Sequence, residues 1–329
     1  MKKIIRIGGL RVLTFAILIF CLSCKNKDAE LEVIPLVKPT IMSVKVENVK
    51  VNTVDLTIVL IPNEDGTKVT VEVGSTTTTK VVGGEDSVQI NFSFSDLKRK
   101  TEYNFRIIVV NSAGEVSSSG SFETFAAEDF DGNLYRSVVI GDQEWLTENL
   151  RATHFSNGEA IDNITNPNDW GVLSTSAYCW YNNDISNKEI CGTLYNWYVS
   201  NDTRQLIEGW HVPSIEECRE LDSVLGGAIL AGPKLISKDY WLELVVPATN
   251  ESGFTAVPSG AVCLDSVSGN FVFSGMRYEF SSWTNSQATT PGYAWCAGIR
   301  NEFVVAELRP QNYKRGCSIR PVKNKIKNK

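Results

Sequence analysis

Histidine is scarce in this chain of 329 residues, which has two, His154 and His211, beside eight cysteines. The six cysteines beyond residue 24 (Cys179, Cys191, Cys218, Cys263, Cys296 and Cys317) include no close pair. A zinc site is therefore not expected, and no metal or cofactor is implied. Basic runs are also missing except at Lys323 to Lys329, and the net charge is -6, a poor profile for a nucleic-acid binder. The one conspicuous apolar run, Val12 to Leu22, is shorter than the ~20 residues of a spanning helix. Tryptophan is absent before Trp145 although the chain contains eight, so composition changes sharply near residue 127. Two domains of different character are implied by that change and by length.

The chain begins with a charged start, Lys2, Lys3, Arg6 and Arg11, followed by the apolar run and by Ser23-Cys24. That order describes an export signal over residues 1–23 with Cys24 as the acylated first residue of the mature protein. Cys21 stands where a leucine is usual in such sites. The charged stretch Lys25 to Glu30 reads as part of a tether over residues 24–35. It partly resembles the Lys/Asp/Glu signals that send Bacteroidetes lipoproteins to the outer face of the outer membrane. The expectation is a lipid-anchored outer-membrane protein facing the extracellular side, and an even number of cysteines in an exported chain reads as disulfides.

Residues 36–126 carry period-two patterns. Val54, Leu56, Ile58 and Leu60 share one face of a strand, Val69, Val71 and Val73 another, and Val88, Ile90, Phe92 and Phe94 a third. Tyr103, Phe105, Ile107 and Val109 continue the alternation, with Leu97 and Tyr103 spaced for a tyrosine corner and Gly114 for a left-handed turn. The pattern resembles a fibronectin type III domain, an all-β sandwich, although the tryptophan often found on its second strand is missing. Such a module is expected to act as a spacer.

Residues 128–323 contain ordered blocks: Asp129 to Tyr135, Ile140 to Leu150, Ala177 to Asp184, Gly192 to Tyr198, Gly209 to Ser214 and Asn250 to Gly260. In this order they closely resemble the Fibrobacter succinogenes major paralogous domain. The resemblance implies an α+β C-type-lectin-like fold, shared with formylglycine-generating enzymes, and no defined activity. Ser214 to Leu225 forms a helix by its own signals: a Ser214/Glu217 capping box, Ile215, Cys218, Leu221 and Leu225 on one face, and Gly226-Gly227 as a stop. His211, in the turn before it, is expected to have a structural hydrogen-bonding role. The resemblance further implies the disulfides Cys218–Cys317, Cys263–Cys296 and Cys179–Cys191. Typical members carry a cysteine pair where this chain has Leu206 and Pro321.

An enzyme is not expected. The formylglycine-generating relatives use closely spaced reactive cysteines, and Cys296 and Cys317 are too far apart in sequence to copy them. Carboxylates such as Asp142, Glu144, Glu148, Asp184 and Glu251 cannot be paired from sequence into a glycosidase site. Calcium-type lectin motifs are represented only by Trp283-Thr284-Asn285. Aromatic, amide and guanidinium side chains cluster in the final third: Tyr278, Trp283, Asn285, Tyr293, Trp295, Arg300, Arg309, Asn312 and Tyr313. These are the candidate ligand-binding residues, on the expectation of exposed, coplanar aromatics. The resulting expectation is a lectin-like head that binds a glycan or a host or matrix protein without covalent chemistry. The alternative is an assembly protein with one fixed protein partner.

Overall fold

The computed structural model describes residues 3–7, 10–13 and 33–324. Strand Lys3–Ile7 runs antiparallel to both Leu10–Leu13 and Val33–Pro35. The other residues of the expected export signal, and Cys24 after it, lie outside the described residues, as do residues 325–329 of the basic tail. Among the described residues no helix is long and apolar enough to cross a membrane. The chain divides into two compact units, Met1–Thr124 and Phe125–Lys329.

The first unit contains seven strands beyond residue 36: β1 (Thr40–Glu47), β2 (Val54–Ile61), β3 (Thr67–Val73), β4 (Thr76–Val82), β5 (Val88–Phe94), β6 (Glu102–Asn111) and β7 (Gly114–Glu123). They form antiparallel sheets in the orders β1-β2-β5 and β7-β6-β3-β4. This is the strand arrangement of a fibronectin type III sandwich, and the alternation explains it directly. Val54, Leu56, Ile58, Leu60, Val69, Val71, Ile107 and Val109 are all 0% exposed and fill one core. The tyrosine corner forms: the Lys98 backbone N–H donates to the Tyr103 hydroxyl at 2.8 Å, and Leu97 is buried beside it. Gly114 has φ +141°, and from it β7 pairs back along β6.

In the second unit, β8 (Ser137–Ile140) and β9 (Gln143–Leu146) pair, and β9 also pairs with the last strand, β15 (Val322–Asn324). A hairpin, β10 (Ser259–Leu264) with β11 (Phe271–Met276), precedes the sheet β12 (Glu279–Gln287), β13 (Tyr293–Arg300) and β14 (Phe303–Asn312). Helices are short: α1 (Trp197–Ser200), α2 (Ile215–Val224) and α3 (Ala228–Leu235). Both halves of the Ser214/Glu217 capping box are present at the start of α2, and Cys218 and Leu221 are buried on its inner face. Gly232 lets α3 approach β14, since a Cβ there would collide with the Val304 carbonyl.

The sequence blocks of this unit are structural. Asp129 closes its own turn by accepting the Asn133 backbone N–H at 2.9 Å and the Tyr135 hydroxyl at 2.6 Å. Asn149 donates to the Cys191 carbonyl at 2.8 Å and accepts from Arg320 at 2.8 and 3.2 Å. Arg320 is 1% exposed, donates also to the Leu146 and Phe254 carbonyls, and lies over the rings of Phe254 and Phe280. Burial pushes its guanidinium down to about 9. One buried arginine thus joins three blocks far apart in sequence.

Candidate functional site

The nine residues expected to bind ligand do not form one surface. Trp283 is 0% exposed, and its indole N–H donates to the Tyr195 carbonyl at 2.8 Å, so it is a core residue. β12 is buried on both faces from Phe280 to Thr284, which removes the expected in-out alternation. Tyr313 is half-buried, stacked on Trp197 with ring centroids 4.1 Å apart. Tyr278 and Arg300 lie at one end of β13, while Tyr293, paired in register with Asn312, lies at the other. That strand is about 23 Å long, so the two ends cannot contact one small ligand. Trp295 lies opposite Pro310 on β14. Arg300 is held by Glu302 and Glu307, and Arg309 pairs with Glu307. The coplanar platform is therefore absent; of the nine, Asn285 borders a cleft between α1 and the turn at Trp210.

The cysteines also differ from expectation. All six are free thiols, and Cys218 is buried among Ile140, Trp145 and Leu221, in a different core cluster from Cys317. The sulfurs that meet are those of Cys296 and Cys317, 3.7 Å apart although 21 residues separate them. Sequence distance was the wrong guide because β13 and the C-terminal segment converge on β12: Trp283 pairs with Cys296, and its N–H donates to the Ser318 carbonyl. Burial pushes the thiols of Cys179, Cys191, Cys218, Cys263 and Cys296 up, that of Cys191 to about 11.

The cleft that the structure does build has a volume of about 550 Å³ and is walled by Val199 and Ser200 of α1, residues 201–207, Trp210 to Val212, Asn285 and Pro321. Asparagine, aspartate and arginine form its ridge. Arg204 grips Asp202 with Nε at 2.8 Å and Nη2 at 2.6 Å, pairs with Glu159, and lies 3.8 Å over the Phe155 ring. Its hydrogen bond holds the Asp202 carboxyl below its usual range against the opposing effect of burial. On the other wall His211 Nε2 meets Glu217 Oε1 at 2.7 Å, so the expected structural hydrogen bond exists. Burial would raise the Glu217 carboxyl, but His211 and the Ser214 backbone N–H bring it below its usual value. The same carboxylate caps α2, which ties the cleft wall to the helix start.

Two polar groups in the cleft wall, Ser200 Oγ and Trp210 Nε1, are buried without a hydrogen-bond partner. Such groups are costly when unpaired, by about 1–3 kcal/mol each. Leu206 and Pro321 also line this cleft, so two residues 115 positions apart in sequence meet at one wall. Across the ridge of Asn201, Asp202, Thr203 and Arg204 lies a second cleft of about 450 Å³, walled by Phe155, Asp162, Ser174 to Ser176 and Tyr198. Sequence reasoning missed this site because its walls come from connections without periodicity. Among the described residues no three histidine, cysteine or acidic side chains are grouped to hold a metal ion.

Residues 138–323, more than half of the chain, match the Fibrobacter succinogenes major domain. The chain belongs to that family. Within this family member the blocks around Trp145, Asn149, Tyr195, Trp210 and Arg320 serve the core, as their burial shows. No curated protein matches the chain. Solved structures with some similarity include the fibronectin type III domain of human fibronectin type III domain containing protein 3, 22% identical, covering 26% of this chain and 83% of that one, with a TM-score of 0.19. Another is the sensor domain of the anti-sigma factor RsgI4 of Pseudobacteroides cellulosolvens, 18% identical, covering 28% and 96%, with a TM-score of 0.22.

Proposed function

We propose that this Fibrobacter succinogenes major domain protein is a lipid-anchored, surface-exposed binding protein whose second unit, a lectin-like head, holds a neutral, hydroxyl-rich ligand, a glycan, in the cleft beside Trp210. The observation that carries the reading is the pair of unpartnered buried groups, Ser200 Oγ and Trp210 Nε1, in the wall of a polar cleft. Both atoms are covered in the structure, so a ligand hydroxyl satisfies either one only after a side-chain shift in the wall uncovers it. The rim supports a neutral ligand, because Arg204 is matched by Asp202 and Glu159, and His211 by Glu217. The second cleft across the Asn201-to-Arg204 ridge favours an extended chain over a single sugar. The anchor rests on the charged, apolar and Ser23-Cys24 order of the leader.

A glycan array probed with residues 25–329 tests the reading. Saturable binding is expected, weakened about 10-fold in Trp210→Phe, which keeps a ring and removes the N–H donor. Silence on the array, or binding indifferent to Trp210→Phe and Ser200→Ala, would sink it. A second reading has a specific observation behind it: Val224, Ile229 and Leu230, where α2 ends and α3 begins, are 51%, 73% and 57% exposed. Such apolar exposure suits a protein partner. Capture of an envelope or matrix protein that is abolished by Ile229→Asp and unaffected by Trp210→Phe would favour it.

A further inference from the structure

We propose that Cys296 and Cys317 are a covalent cross-linking site, forming a disulfide that ties β13 to the C-terminal segment carrying Arg320 and Pro321. The two sulfurs are already in contact at 3.7 Å, and the residues are 3% and 0% exposed within one core. Backbone pairing brings them together. Cys317 exchanges both hydrogen bonds with Tyr195, at 2.8 and 2.9 Å, and the neighbouring Ser318 carbonyl accepts from Trp283 at 2.9 Å. Trp283 is in turn the register partner of Cys296. Both backbones are therefore fixed by β pairing, so closure requires side-chain rotation rather than movement of a loop. The inference does not depend on what the cleft binds.

The reaction needs an oxidant, here a small-molecule or protein disulfide, R–S–S–R. One thiolate attacks a donor sulfur, forming a mixed disulfide and releasing R–S⁻. The second cysteine, losing its proton, attacks the protein sulfur of that mixed disulfide and releases the second R–S⁻. Two cysteine thiols are oxidised and one donor disulfide becomes two R–SH. Cys317 is suited to the first attack. Burial opposes its ionisation, but the S–H donated by Cys296 and the nearby Arg315 guanidinium outweigh that effect and hold it below the ordinary thiol value. Because both residues are buried, the bond closes as the sheet assembles. The competing partner is Cys263, half-buried next to Val262, which exchanges two backbone hydrogen bonds with Gly316.

The full chain, refolded with oxidised glutathione and separately with a reducing agent, is denatured in iodoacetamide and digested without reduction. Mass spectrometry is expected to find a peptide pair joined through Cys296 and Cys317 in the oxidised sample, with Cys179, Cys191 and Cys218 alkylated. Full alkylation of Cys296 and Cys317 in that sample, or a Cys263–Cys317 link, would overturn the proposal. The same two wild-type samples supply a second readout: the tryptophan-fluorescence melt should rise by about 6–12 °C on oxidation. An oxidised and a reduced sample melting together would count against the bond.

Discussion

The two units are stabilised in different ways. The sandwich has a core of aliphatic and phenylalanine side chains supplied at every second position of adjacent strands, with no tryptophan and no cysteine in residues 36–124. Burial of that kind is worth about 1.5–3 kcal/mol for each large side chain and needs no particular partner. The second unit buries five tryptophans, a full guanidinium, Asn149 and Asn196, and apart from Trp210 each of them is satisfied by a specific hydrogen bond. Its core is therefore less tolerant: removing one partner leaves another buried and unpaired. A periodic pattern is enough to assemble the first unit, whereas the second depends on groups meeting across well over a hundred residues.

The sharpest way to break that comparison is Arg320→Leu. The change strands the Asn149 amide oxygen and the Leu146 and Phe254 carbonyls, so a loss of about 3–5 kcal/mol is expected. Every tryptophan lies in the second unit, so urea unfolding followed by indole fluorescence reports that unit alone. A loss below about 1 kcal/mol would mean that the arginine is replaceable packing.

Somewhat smaller, at about 2–4 kcal/mol, is the expected cost of Ile58→Ala at the centre of the sandwich. Circular dichroism should record it while the fluorescence transition stays in place. A matching shift in fluorescence would show that the two units do not unfold separately.

The smallest effect is a gain. Burial pushes the Asp222 carboxyl up to about 7 from an unfolded value near 3.8. Between those values the folded protein holds a proton that the unfolded chain has released, so stability falls as pH rises through this window. Asp222→Asn should raise stability near pH 8 by about 1–3 kcal/mol and change little near pH 4. Equal effects at both pH values would show that the carboxyl ionises normally.

Legibility followed the same division. Val54 to Leu60 and Tyr103 to Val109 could be assigned to a buried face because a strand's two-residue repeat is set by its own backbone. The capping box at Ser214 was equally local. Trp283 was misread as a surface residue because its burial depends on what covers each face of β12, and no local pattern records that. The cleft beside Trp210 was invisible for the same reason, although the Gly209-Trp210-His211 block marks one of its walls.

By itself the sequence determined the sandwich strands, the helix from Ser214, the change of character near residue 127 and the family of the second half. Each follows from short-range periodicity, capping chemistry or the order of blocks along the chain. Tertiary structure alone decided that Cys296 meets Cys317, that Arg320 is buried against Asn149, and that Ser200 and Trp210 wall a polar cleft. Those residues lie 10 to 171 positions apart, and only the closing of sheets and connections around one another brings them to a common site.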